Sequence, residues 1–148
     1  MKIYSPLQGK LVALETVPDA VFSGKMMGEG VAIIPSSNKV LSPVKGKLTS
    51  VFPTKHAFGI ETEDGVEVLI HVGIDTVDLK GKHFDLKVEQ GEKVEIGDLL
   101  VEVDFDAINK AGYPIITPII ILNTGSFENV VNESDKELEY LDTIIELQ

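Results

Sequence analysis

The chain has 148 residues, 43% of them apolar, and a formal charge of −11 at pH 7. The apolar share supports a sizeable core and excludes the disordered class, while the acidic excess excludes nonspecific binding to nucleic acid, whose phosphates repel it. All 13 basic residues are lysines and there is no cysteine, which excludes an arginine phosphate clamp, disulfides, thiolate metal ligands and a cysteine nucleophile within this chain.

The length predicts one domain over residues 1–148. The opening MKIYSPLQGK has no apolar h-region, so it does not read as a signal peptide. The most apolar stretch, YPIITPIIIL at 113–122, is interrupted by Pro114 and Pro118 and is too short to span a bilayer. These features predict a cytoplasmic protein without membrane insertion.

In chain order, short β-branched runs bounded by Gly, Pro or Asp predict strands at KLVAL (10–14), GVAIIP (30–35), KLTSVF (47–52), FGIETE (58–63), VEVLIHV (66–72), LLVEVDF (99–105) and PIIIL (118–122). FDAINKAG at 105–112 predicts a short helix ending at Gly112. In the acidic tail, NESDKELEYL at 132–141 is expected to be an exposed turn or short helix, and DTIIELQ at 142–148 a closing strand. Many short strands with frequent turns define an all-β sandwich or barrel with little helix. VEQGEKVEIGDLLVEVD at 88–104 has the Gly-turn pattern of biotinyl and lipoyl carrier domains without their lysine. Only the β geometry is taken from that likeness.

The chain also repeats itself. SPLQGKLVALETVPDAVF at 5–22 and SPVKGKLTSVFPTKHAFG at 42–59 share six of eighteen positions at an offset of 37. The duplication predicts a pseudo-twofold β fold and sets Asp19 in the place of His56.

His71 lies inside an apolar run, LIHVGIDTV at 69–77. Asp64-Gly65 predicts a two-residue hairpin turn between the flanking strands. In that register Phe58 opposes His71 and His56 opposes Gly73. The two histidines are then diagonal neighbours on one face, about 7–8 Å apart at the backbone. A pair of imidazoles fits zinc binding or phosphoryl transfer. His71-Val72-Gly73-Ile74-Asp75 has the H-x-x-x-D spacing seen in LytM-type zinc endopeptidases, but the H-x-H motif of that family is absent. A catalytic zinc needs three protein ligands and an open position, and two imidazoles give weak zinc binding only. For phosphoryl transfer one imidazole attacks and the second donor steadies the phosphoryl oxygens.

Here the chain closely resembles the glucose-family IIA component of the bacterial sugar phosphotransferase system. The resemblance is carried by VPDAVFSGKMMGEGVAI (17–33), SPVKGKL (42–48), PTKHAFGIET (53–62), LIHVGIDTV (69–77), VEQGEKVEIGDLL (88–100) and TPIIILN (117–123). It implies a flattened antiparallel β-sandwich and no required cofactor. It implies a phosphoryl group accepted from the phosphocarrier HPr and passed to the IIB domain of a sugar permease, with regulated enzymes or transporters as further partners. Residue by residue, it makes His71 the nucleophile through Nε2, with Gly73 the backbone acceptor for Nδ1. His56 contacts the phosphoryl group and Thr54 orients His56. Asp19 and Asp75 form an acidic rim, and Val21, Phe22, Met26, Phe52 and Phe58 an apolar ring for partner docking. His83 is expected to have no role.

Overall fold

The computed structural model describes residues 1–133 and 135–148. The strands are β1 (Lys2–Tyr4), β2 (Gly9–Ala13), β3 (Glu29–Pro35), β4 (Lys39–Leu41), β5 (Gly46–Val51), β6 (Ala57–Glu61), β7 (Glu67–His71), β8 (Phe84–Leu86), β9 (Lys93–Val94), β10 (Leu99–Val103), β11 (Thr117–Ile121), β12 (Val130–Asn132), β13 (Lys136–Leu138) and β14 (Thr143–Leu147). Two short helices, α1 (Ala20–Ser23) and α2 (Phe105–Lys110), punctuate them. The α2 helix is N-capped by Asp104, whose side chain accepts from the Ala107 N–H at 3.1 Å, and the chain leaves it through Gly112 at φ +95°.

One large sheet runs β13-β2-β3-β11-β7-β6-β5-β9, and two small sheets run β1-β14-β12 and β4-β10-β8. All pairings are antiparallel. The sheets are open, so of the two expected architectures the sandwich is realised and the closed barrel is not.

The order of the large sheet is a palindrome about the β11–β7 pair, which is the pseudo-twofold expected from the repeat. The two Ser-Pro turns obey it closely. Ser5 Oγ donates to the Leu7 carbonyl at 2.6 Å, and Ser42 Oγ to that of Val44 at 2.7 Å. The turns also bond each other reciprocally: Tyr4 N–H to Pro43 O at 3.1 Å and Leu41 N–H to Pro6 O at 2.9 Å.

The acidic tail departs from expectation in part. DTIIELQ does form β14, but Lys136–Leu138 is a strand, β13, rather than a turn or helix; residue 134 lies outside the described residues. The reason is a second duplication, at an offset of 44. EIGDLLVEV (95–103) and EYLDTIIEL (139–147) adopt the same turn and strand. Glu95 N–H is capped by Asp98 Oδ2 at 2.8 Å, and Glu139 N–H by Asp142 Oδ2 at 2.9 Å. Gly97 and Leu141 occupy the same left-handed position, at φ +90° and +67°. Gly46 pairs with Val94 as Gly9 pairs with Leu138.

The main core lies between the sheets and includes Ile3, Leu11, Leu48, Phe58, Ile70, Leu100, Ile119 and Ile145. A smaller apolar cluster, with Leu14, Phe22, Ala57, Leu69, Ile74 and Ile120, covers the opposite face of the large sheet. Side-chain alternation along β7 sends Val68 and Ile70 to the main core and Leu69 and His71 to the other face.

Candidate functional site

The hairpin that carries the site is one residue longer than its Asp-Gly signal implies. Thr62 N–H bonds Val66 O at 3.0 Å and Gly65 N–H bonds Thr62 O at 3.0 Å, leaving Glu63, Asp64 and Gly65 as a three-residue loop with Gly65 at φ +84°. The register shifts accordingly: Ala57 opposes His71 and Phe58 opposes Ile70. Phe58 is therefore fully buried in the main core and is not part of an apolar ring around the site.

This register alone would turn His56 away from His71. The two meet because His56 is outside the strand. Lys55 takes a left-handed conformation, φ +65°, in a tight turn closed by Lys55 N–H to Phe52 O at 2.7 Å and Phe52 N–H to Ala57 O at 3.1 Å. The turn breaks the pleat one residue before β6 and swings the His56 ring over the sheet. The two imidazoles end edge-to-face, with centroids 4.9 Å apart and planes at 79°. Phe22, on α1, lies against the His71 ring at 4.9 Å, and Phe52 against His56 at 5.4 Å.

Each ring is held at Nδ1. His71 Nδ1 is 2.7 Å from the Gly73 carbonyl. A carbonyl only accepts, so Nδ1 carries the proton and Nε2 keeps its lone pair. His56 Nδ1 is 2.7 Å from Thr54 Oγ1, which can donate or accept. Gly73 reaches its position through a left-handed turn, φ +73°, followed by Asp75 at φ +61°. Backbone bonds that the sequence does not announce support this turn: Val72 N–H to His56 O at 2.7 Å and Ile74 N–H to Pro114 O at 3.0 Å.

Burial holds both imidazoles below their ordinary range. His56 is only 2% exposed. Its pKa falls to about 4, first through burial and then through repulsion from His71, with a hydrogen bond to the Thr54 backbone opposing. His71 is also lowered by burial, but the Gly73 carbonyl and the carboxylates of Asp19 and Asp75 pull the other way. Both rings are neutral at pH 7. Asp19 caps α1 through its side chain, which accepts from Val21 N–H at 2.9 Å.

The rest of the expected apolar ring divides. Phe22 is buried against His71, while Val21, Met26 and Phe52 are exposed, Met26 at 76%. Beside them a groove of about 330 Å³ is lined by Met27, Phe52, Gly59, Leu69 and Leu122, with Glu61 and Glu67 at its margin. A cleft of about 370 Å³ along the β5–β9 edge holds no histidine. His83 is half-buried and stands apart from the pair, beside Phe84 and Asp104. Among the described residues no group of three or more histidine, aspartate or glutamate side chains is placed to hold a metal. No helix among them is long and apolar enough to cross a membrane.

An open β-sandwich presenting two neutral imidazoles, one with its Nε2 lone pair free by hydrogen-bond constraint, is suited to carrying a transferred group. Comparison with known proteins gives the family: residues 1–127 match the family model described as phosphoenolpyruvate-dependent sugar phosphotransferase system, EIIA 1, and the chain belongs to that family. It is 49% identical over 130 residues to the glucose-specific EIIA component of Staphylococcus epidermidis, a match covering 88% of this chain and 78% of that one. It is 49% identical to part of the glucose-specific EIICBA component of Streptococcus pneumoniae, covering 93% of this chain and 19% of that protein. It is 48% identical to part of the β-glucoside-specific EIIBCA component of Bacillus subtilis, covering 84% of this chain and 20% of that protein. The solved glucose permease IIA of Mycoplasma capricolum superposes with a TM-score of 0.92 at 42% identity, covering 98% of this chain and 94% of that one. The chain is accordingly a phosphotransferase-system component that carries phosphoryl groups.

Proposed function

We propose that His71 accepts a phosphoryl group on Nε2 from the phosphohistidine of HPr and passes it to the IIB domain of a sugar permease, in the cytoplasm and as a single domain. The observation that carries this reading is the 2.7 Å contact between His71 Nδ1 and the Gly73 carbonyl. It commits the proton to Nδ1 and the lone pair to Nε2 in an imidazole that stays neutral at pH 7.

The step balances simply. The Nε2 lone pair attacks phosphorus, and the new N–P bond forms as the donor's N–P bond breaks. The donor imidazole leaves with that electron pair. The proton stays on Nδ1, which goes on donating it to the Gly73 carbonyl, so the phosphorylated ring gains imidazolium character, which the carboxylates of Asp19 and Asp75 favour. His56 supplies the donor for the phosphoryl oxygens, with Thr54 Oγ1 donating to Nδ1 so that the proton sits on Nε2. This role matters more in a chain with no arginine. Val21, Met26, Phe52 and the adjoining groove give a partner an apolar surface beside the histidines. Near-equal identity to glucose-specific and β-glucoside-specific relatives fits a component that leaves sugar choice to the permease.

The test is incubation with phosphoenolpyruvate, enzyme I and HPr, followed by intact-mass analysis. One added phosphoryl group, acid-labile and base-stable, is expected. His71→Ala is expected to accept none, and His56→Ala to label about a hundred- to a thousandfold more slowly, as loss of one preorganised donor does. Labelling that persists in His71→Ala and vanishes in His56→Ala reverses the two roles.

A further inference from the structure

We propose that the Thr76 hydroxyl is a positioning group for His71, fixing the imidazole in the Nδ1–H tautomer by locking the peptide turn that presents the Gly73 carbonyl. This inference rests on the reading of His71 as the phosphoryl acceptor for its functional consequence, but not for its structural one.

The geometry is specific. Thr76 opens a short 3-10 turn over Thr76–Leu79 and is fully buried, 0% exposed. Its hydroxyl donates back to the Val72 carbonyl at 2.5 Å. The N–H of the same residue, Val72, donates to the His56 carbonyl at 2.7 Å. Val72 is thus held on one side by the backbone of one histidine and on the other by Thr76. The next carbonyl along the chain is that of Gly73, which receives His71 Nδ1–H. The Thr76 methyl also closes on the turn: a Cβ at Gly73 would stand 2.6 Å from Thr76 Cγ2.

The turn needs such a lock, since Gly73 and Asp75 both lie in the left-handed region and Gly73 has many alternative conformations. If the Gly73–Ile74 peptide rotated, the Gly73 carbonyl would leave Nδ1; Ile74 N–H to Pro114 O anchors that peptide directly, and Thr76 anchors the Val72–Gly73 peptide before it. The Nδ1 proton would then lose its Gly73 acceptor, and the imidazole would sample the tautomer whose Nε2 carries hydrogen and cannot attack. Thr76 makes no hydrogen bond to the His71 ring. It acts through Val72 and Gly73.

Four side chains at position 76 separate this role from packing. Thr and Ser carry the hydroxyl, Val and Ala do not; Thr and Val carry the methyl, Ser and Ala do not. Two readouts are taken: the ring nitrogen-15 shifts of His71 in the unphosphorylated protein, which report the tautomer, and the rate of phosphoryl uptake from phospho-HPr. The expected result groups the proteins by hydroxyl. Thr76→Ser keeps the Nδ1–H tautomer and near-native uptake. Thr76→Val and Thr76→Ala show mixed tautomers and uptake slowed about a hundredfold, the scale on which small misplacements act. Grouping by methyl, or native tautomer and uptake in Thr76→Val, overturns the proposal. Should Val and Ala fail to fold, Thr76→Ser alone decides it: a mixed tautomer there overturns the claim and a native one sustains it. A wild-type protein that takes up no phosphate would refute the functional reading, while the nitrogen shifts would still decide the tautomer claim.

Discussion

Replacing Gly73 by alanine strikes the site and the fold together, and both effects follow from local geometry. At φ +73° a Cβ costs about 1–2 kcal/mol in backbone strain. The same Cβ would stand 2.6 Å from Thr76 Cγ2 and 3.0 Å from the Pro114 carbonyl oxygen. Thr76 is fully buried, and the Pro114 carbonyl is tied to Ile74 N–H, so neither neighbour yields cheaply. Overpacking of this kind adds roughly 1–3 kcal/mol. The total, about 2–5 kcal/mol, is a large part of the stability of an ordinary domain. Urea unfolding followed by circular dichroism measures it as a lower midpoint. Relief of the clash also swings the Gly73 carbonyl from His71 Nδ1, so the folded fraction is expected to accept phosphate much more slowly. A loss below about 1 kcal/mol with native labelling would refute the reasoning, because it would mean that neither the left-handed turn nor its close contact is needed.

Truncation after residue 127, where the family match ends, is expected to leave a chain without cooperative unfolding. It removes β12–β14 and the buried side chains of Leu138, Ile144, Ile145 and Leu147, worth together about 6–12 kcal/mol at 1.5–3 kcal/mol each; a native-like proton NMR spectrum from residues 1–127 would contradict this. Stability is expected to be greatest above pH 6.5 and to fall as pH drops from 6.5 towards about 4. The sign follows from the lowered pKa of both histidines, because the unfolded chain binds protons that the folded one refuses. For His56 the loss is at most about 3 kcal/mol at 1.36 kcal/mol per pH unit, and His56→Gln should flatten the profile measured by urea unfolding. Titration calorimetry of the unphosphorylated protein is expected to detect weak zinc binding, since two imidazoles fill half a tetrahedron, and phosphorylation should abolish it by occupying Nε2.

Much of this architecture was readable from local chemistry. β-branched runs gave the long strands, Gly112 marked the end of the helix, and the Ser-Pro repeat announced the pseudo-twofold. Short strands such as β4, β8 and β13 escaped because three residues carry no period; their pairing is imposed by the large sheet. The second duplication was nevertheless visible, since Glu-x-x-Asp recurs before an apolar run at 95 and 139. The histidine pair was anticipated for a reason that does not hold. Asp64-Gly65 implied a two-residue turn, but Thr62 pairs with Val66 around a three-residue loop, and only the left-handed turn at Lys55 restores the meeting of the rings. A positive φ at lysine leaves no mark in the sequence. The same register sends Phe58, which the resemblance set in the ring around the site, into the main core. Thr76 carried no signal either, because a hydroxyl four residues from its acceptor matters only once the turn has formed.

The most direct test of the central claim is phosphorus–nitrogen correlation NMR on the nitrogen-15-labelled protein after phosphorylation by phospho-HPr. A single phosphorus coupled to Nε2 of His71, with a proton retained on Nδ1, is the predicted result. Phosphorus coupled to Nδ1 of His71, or to either nitrogen of His56, would contradict it.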